Sequence, residues 1–281
     1  VNVTLLGADG RTRSFEDLDV DPDQDWTRGE FVVDSGDSEA LRLYLGLWGA
    51  SSGTAWFDDV GVEEVALVHT IRRPGAPVEV VDASGRALEE GVDVDRVDGR
   101  DPADGPDFLP WHEPPTVGVP VGSRLAPGDG ATISYYAVPP AHGWQVGACL
   151  TAPAADRWMV DNMAGLDTRF PATTGWFFGY DEMRHMNTCG SCAARGLTPG
   201  ALLADHVRRA IGVVRALRPQ GRLFVWSDMF DPHHNAGDDY YFVEGDLAGS
   251  WEGLPSDAVI MNWNGGRRAE SMTHFSARGH R

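Results

Sequence analysis

Between residues 1 and 66, apolar and polar positions alternate in short runs broken by Gly, Asp and Ser. Leu41-Arg42-Leu43-Tyr44-Leu45-Gly46-Leu47-Trp48 is one such run, and Gly53-Thr54-Ala55-Trp56-Phe57-Asp58-Asp59-Val60 is another that stops at two acids. Period-two patterning at this spacing, with no helical segment between, predicts strands packed as a β-sandwich. It puts Trp56 in the sandwich core and Asp58 or Asp59 at a strand end. Residues 67–130, rich in Pro, Gly and Asp, read as a strand-and-loop connecting region that is irregular over 99–115.

After Gly130 the texture changes. Thr132 to Val138 reads as a strand and Ala154 to Met163 as a helix behind Pro153. Three apolar runs follow: 176–182 ends in Asp181-Glu182, 222–228 ends in Asp228, and 258–264 ends in Asn262-Trp263-Asn264. Between the first two, Thr198 as N-cap, Pro199 at the first position, and Pro219 and Gly221 beyond the end delimit a helix. Its residues Leu203, Val207, Ala210, Val214 and Leu217 keep helical spacing and mark one buried face. A last helix is expected over roughly Arg267 to Arg278. Apolar strands alternating with helices predict βαβ units and a parallel sheet. About four units fit into residues 131–281, whereas a closed barrel needs about 250 residues. The expected fold is therefore a β-sandwich followed by a partial (β/α)8 barrel, α/β plus all-β in class. The chain begins without Met inside a strand-like run, so it reads as an internal fragment, and a missing signal peptide carries no information on compartment. A part-built barrel also predicts little turnover by residues 1–281 alone.

Acids at the carboxyl ends of parallel strands are the usual layout of an acid/base site. Three such strand ends in series predict one shared pocket built from Asp181, Glu182, Asp228, Asn262 and Trp263. Alternation along a regular strand would place Phe178, Tyr180 and Glu182 on one face. Around Asp228 the run Trp226-Ser227-Asp228-Met229-Phe230-Asp231-Pro232-His233-His234-Asn235 sets hydrogen-bonding groups beside aromatic rings. Sugars present hydroxyls and apolar C–H faces together, and this mixture suits them. Tyr136, Arg184, Trp226, Asp228, His234, Asn235, Trp251, Asn262 and Trp263 are the expected substrate contacts, with Asp181 and Glu182 as the catalytic pair. The same loop allows a second reading, a metal-dependent hydrolase using Asp228, Asp231, His233 and His234.

Charge narrows the partners. A formal net charge of −19 argues against nucleic acid and against anionic membrane surfaces. All 23 basic residues are Arg, which removes Schiff-base chemistry and a phosphate-loop lysine. No apolar run approaches the roughly 20 residues of a membrane span, so no membrane insertion is expected. Cys149, Cys189 and Cys192 are too few for a disulfide scaffold. The motif Cys189-Gly190-Ser191-Cys192 allows a redox pair, half of a zinc site or two buried thiols, and Cys149 with His185 would complete a Cys3His set.

The strand ending in Gly179-Tyr180-Asp181-Glu182 resembles the Asp-Glu pair of the β-N-acetylhexosaminidase type of glycoside hydrolase. The residues before it, Trp176-Phe177-Phe178, differ from that family's His-x-Gly-Gly. The wider set, adding Met183-Arg184, Trp226 to Pro232 and Met261 to Asn264, is similar to bacterial glycosidase-like proteins. The resemblance implies a (β/α)8 barrel, a carbohydrate substrate, Glu182 as general acid and Asp181 as its substrate-orienting partner, with no cofactor required. The run Gly53 to Val60 resembles the closing strand of carbohydrate-binding jelly rolls, which implies a structural calcium near Asp58 and Asp59. Zinc at Cys189 and Cys192 is the other metal expectation. A glycan-binding protein with a degenerate, non-catalytic barrel is the alternative within the same resemblance.

Overall fold

The computed structural model describes residues 2–8, 10, 12–18, 21, 23–33, 40–47, 52–72, 76–97, 111–138, 140–142 and 145–281. Trp48 and the 99–110 part of the expected irregular stretch lie outside the described residues. The chain divides into two compact units, Val1–Val146 and Gly147–Arg281.

The first unit is built from small antiparallel sheets. Strands β1 (Asn2–Gly7), β2 (Thr12–Asp17) and β3 (Leu41–Gly46) form one sheet in the order β2-β1-β3. Strands β4 (Thr70–Ile71), β5 (Glu79–Asp82), β6 (Ala87–Leu88), β7 (Ala131–Ser134) and β8 (Tyr136–Ala137) make a β6-β5-β7 sheet and a β4-β8 pair. A two-stranded β9 (Pro140–His142) and β10 (Gln145–Val146) closes the unit. Val80, Leu88, Val94 and Leu125 fill a small core with Val117 and Ile133 packed against it. Beside it, the fully buried carboxylate of Asp93 pairs with Arg124. It also accepts the backbone N–H of Glu89 at 2.8 Å and of Arg124 at 3.0 Å.

In the second unit, α1 (Pro153–Arg169) is followed by β11 (Gly175–Phe178), β12 (His185–Met186) and the single-turn α2 (Gly190–Ala193). Then come α3 (Pro199–Leu217), β13 (Arg222–Trp226), β14 (Phe242–Val243), β15 (Val259–Met261) and α4 (Arg268–Ser276). Strands β11, β13 and β15 are parallel neighbours in that order, with Phe177 opposite Phe224 and Trp226 opposite Met261. Helix α3 begins where the sequence punctuates it: the Thr198 hydroxyl accepts the N–H of Ala201 at 3.2 Å, satisfying one of the free donors of the first turn. Leu203, Val207, Ala210 and Val214 are buried on its inner face, while Leu217, in its last turn, is 37% exposed. The helix approaches the chain at Ala248 so closely that a Cβ on Gly200 would stand 2.2 Å from the Ala248 carbonyl oxygen, and only glycine fits there. Met229, Phe230, Val243 and Leu247 are fully buried in the core beneath it, each contributing on the order of 1.5–3 kcal/mol.

Two expectations are corrected. The partial (β/α)8 barrel is not present: the parallel sheet has three strands and does not close. The Thr132–Val138 run, expected to start the barrel, breaks at Tyr135 into β7 and β8, which pair antiparallel with β5 and β4 of the first unit. A short apolar run carries no mark of the partner it will choose, and antiparallel edges were available to it. Nor do the described residues form a jelly-roll-like sandwich, the sheets of the first unit being small and separate. Residues 53–66 contain no strand, and Trp56 is 73% exposed rather than buried. At the acidic end the Asp58 carboxylate takes the N–H of Asp59 at 2.9 Å, and Asp59 adopts a left-handed φ of 50°, a local turn that competes with strand pairing.

Candidate functional site

The carboxyl ends of β11, β13 and β15 converge on one acid. Strand β11 stops at Phe178, four residues before Glu182, because Tyr180 has a left-handed φ of 54° and Glu182 one of 44°. The face shared by Phe178, Tyr180 and Glu182, expected of a regular strand, therefore does not exist. Tyr180 instead turns into the core against Phe178, His206 and Phe230. Asp181 is exposed. Glu182 turns the other way: its side chain is 38% exposed and its carboxylate accepts Nη2 of Arg184 at 2.9 Å.

Asp228 organises this turn. It is fully buried at the end of β13, in a short 3-10 turn. Its Oδ2 accepts the backbone N–H of Glu182 at 2.8 Å and Nδ2 of Asn235 at 3.0 Å, and its Oδ1 accepts Nε1 of Trp263 at 3.2 Å. One carboxylate thus ties together the loops that follow all three parallel strands. Burial pushes its carboxyl above the usual carboxylate range, against the opposing pull of its three donors.

Aromatic rings surround the acid. The His234 and Trp263 rings meet edge to face at 4.4 Å, and Trp263 is 44% exposed. Arg184 lies over the Tyr241 ring at 5.1 Å. The Tyr240 hydroxyl accepts Nδ2 of Asn235 at 3.3 Å, and burial, with the charge of Glu182 adding to it, holds its phenol protonated well above the usual value. Its proton remains free to donate. Tyr240 and Tyr241 did not figure in the sequence reading; the adjacent tyrosines inside a long polar loop were the only signal for them. All five non-glycine residues with left-handed backbone among the described residues of this unit, Tyr180, Glu182, Asn187, Asp239 and Tyr241, lie in the two segments joined by the Phe242 N–H to Arg184 carbonyl bond of 2.9 Å. Such conformations persist only where surrounding packing over-determines them, and they concentrate at functional sites.

The other expected contacts are dispersed. Asn262 uses its Oδ1 to accept the N–H of Asn264 at 2.8 Å at the end of β15. Trp226 packs edge to face on the exposed Phe177 at 5.2 Å, on the sheet face opposite to α3. Trp251 meets the His274 ring of α4 at 4.9 Å and the Arg278 guanidinium at 5.2 Å. Tyr136 belongs to β8 of the first unit, where it is 54% exposed. In the 228–234 loop Asp231 caps its own turn, with Oδ1 accepting the His233 N–H at 2.9 Å, and the Asn264 amide donates to the His233 carbonyl at 2.9 Å.

Among the described residues, one set of metal-ligating groups lies close together: the sulfurs of Cys149, Cys189 and Cys192, all within 4.8 Å of one another, which could hold a metal ion. His185 is outside that set and bonds Thr188 Oγ1 through Nε2 at 3.0 Å. Burial pushes the Cys192 thiol up to about 11. At Cys149 burial acts in the same direction, but the hydrogen bonds of Thr151 and the neighbouring sulfurs outweigh it and bring the thiol below its usual value.

No protein-family model matches the chain, and no curated protein matches it. The functional reading rests on the site.

Proposed function

We propose that the second unit hydrolyses a glycosidic bond, with Glu182 as the proton donor. The observation that carries this reading is the fixing of Glu182 at both ends. Its backbone is held by the buried Asp228, which also takes the Trp263 N–H, and its carboxylate by Arg184, which lies over the Tyr241 ring, while the side chain stays 38% exposed. A carboxyl group fixed in this way meets the geometric demand on a general acid, and rings beside amide and carboxylate groups suit a sugar. In the step, Glu182 acts in its protonated form, with Oε2 held by Arg184 and the proton on Oε1, and gives that proton to the glycosidic oxygen as the bond from that oxygen to the anomeric carbon breaks. Water adds to the carbon and loses a proton to a second carboxylate, leaving a hemiacetal and an alcohol. Asp181, adjacent and exposed, is the candidate for that second role. Asp228, already accepting three protein donors, is a positioning residue. Zinc at Cys189 and Cys192 is a proposal of its own, independent of this chemistry.

The test is turnover of a panel of aryl glycosides and oligosaccharides by the chain and by Glu182→Gln. Because the three-stranded sheet is not a part-built barrel, the expectation of little turnover loses its ground, and the expected result is hydrolysis of at least one class, lowered about 10²–10⁴-fold by the substitution. Sugar binding without turnover, indifferent to Glu182→Gln, would overturn the assignment in favour of a glycan-binding protein.

A further inference from the structure

The three cysteines come from two places in the second unit. Cys149 lies in the segment leading into α1; Cys189 precedes α2 and Cys192 sits within it. The Cys149 sulfur is 3.4 Å from that of Cys189 and 3.7 Å from that of Cys192. All three thiols are free. Thr151 Oγ1 stands on the cluster, 3.3 Å from the Cys149 sulfur and 3.5 Å from the Cys192 sulfur.

These separations discriminate among the fates of neighbouring thiols. A disulfide needs about 2.05 Å between sulfurs and joins only two of three. Sulfurs placed tetrahedrally at about 2.3 Å from a zinc ion stand about 3.8 Å apart, close to the spacing found here. A triangle of sulfurs, each within reach of the other two, is the donor set of a thiophilic divalent cation and not of oxygen-preferring calcium.

We infer that Cys149, Cys189 and Cys192 bind one zinc-class divalent cation as three thiolates, with the fourth position taken by water. On binding, three S–H bonds give up their protons to solvent while three metal–sulfur bonds replace metal-bound water, and no electron is transferred. Thr151 is a positioning residue here, its hydroxyl donating to a bound thiolate and fixing its direction. The ion fastens the segment before α1 to the 187–192 loop. That loop follows β12, which pairs with β14 directly after Arg184 and Glu182. Metal binding thereby holds one end of the segment that carries the acid. The coupling to Glu182 rests on the glycosidase reading; the metal site does not.

The experiment is metal analysis of the chain purified without chelators under a phosphine reductant, followed by replacement with cobalt(II). One zinc per chain is expected, and cobalt should give an intense near-ultraviolet sulfur-to-metal band with the visible bands of a tetrahedral ion. Cys149→Ser, Cys189→Ser and Cys192→Ser should each lose most of the metal. Because those variants can fail to fold, Thr151→Ala is the second probe, expected to stay folded and bind zinc about 10–100-fold more weakly. Reduced wild-type protein that takes up no zinc and shows no sulfur-to-cobalt band on titration would overturn the site. So would a native disulfide between any two of the three cysteines. If metal binds but its removal leaves turnover unchanged, the coupling fails while the site stands; if no turnover exists at all, the metal stoichiometry still decides the site.

Discussion

The backbone N–H of Glu182 donates to Oδ2 of Asp228 across 2.8 Å, joining the loop after β11 to the turn after β13. The bond does more than close a loop. Glu182 sits at a φ of 44°, a region that costs a non-glycine residue about 1–3 kcal/mol, and a hydrogen bond to a buried carboxylate is strong enough to offset it. The other donors to Asp228, Asn235 and Trp263, come from the remaining two strand ends, so one buried group sets how the three loops meet.

Asp228→Ala should therefore strip three donors of their acceptor and destabilise the chain by about 2–4 kcal/mol. Asp228→Asn keeps one acceptor oxygen and turns an amide N–H toward one of the former donors, so it should cost less stability but still misplace Glu182. The pH dependence carries a sign. Burial raises the folded-state value of Asp228 above its unfolded one. The folded protein thus retains that proton to higher pH, and its contribution is fullest below the usual value near ~3.9 and lost as pH rises through the folded value. Urea unfolding of wild type and Asp228→Asn across the acid range checks this. The difference between them should shift with pH over that interval, and a constant difference would contradict it.

Arg184 holds the Glu182 carboxylate and lies over Tyr241, with its own side chain only 10% exposed. Arg184→Gln should lower turnover more than 10-fold with a stability loss of no more than about 1 kcal/mol, since the carboxylate it serves is more than a third exposed. Arg184→Lys should not restore the activity, because a point-charge ammonium cannot reproduce both the hydrogen bond and the stacking of a planar guanidinium. Steady-state kinetics on any substrate found for the wild type, run beside thermal unfolding, separates the two effects. Full activity in Arg184→Lys would show that charge alone suffices.

In the first unit, the hydrogen bonds and charge of Arg124 hold the Asp93 carboxyl well below the usual carboxylate range. A depressed folded-state value means the stabilisation is complete above the unfolded value near ~3.9, starts to fall below it, and is lost only as pH drops through the much lower folded value. Asp93→Asn should be less stable than wild type at about pH 6, and the gap should be narrower but still open at about pH 3. Urea midpoints at the two pH values test this, and an equal loss at both would place the effect in packing rather than charge.

Legibility followed the range of the interaction. The bounds of α3 were readable from Thr198, Pro199, Pro219 and Gly221, because capping and proline sterics act within a few residues. The runs behind β11, β13 and β15 were readable for the same reason, and they do stand as parallel neighbours. The Thr132–Val138 run was read as a barrel strand and Trp56 as sandwich core, and both readings failed where the partner strand decided the outcome. At the site, Asp228, Asn235 and Trp263 were read as neighbours of Glu182, but as contacts for a substrate. Their bonds to one another emerge only from the folded chain.

The sequence by itself determined that the runs behind β11, β13 and β15 extend, where α3 starts and stops, and that acids and amides stand at the ends of three apolar runs. Only the tertiary structure decided that β7 and β8 pair antiparallel within the first unit, that Glu182 turns toward Asp228 while Asp181 stays exposed, and that Cys149 meets Cys189 and Cys192 from 40 and 43 residues away. The physical reason is common to all three. Local preferences of about 1 kcal/mol or less per residue select an element. Strand partners, left-handed turns at non-glycine residues and encounters between distant thiols are chosen by burial and hydrogen bonding summed over many residues, which no short stretch of sequence contains.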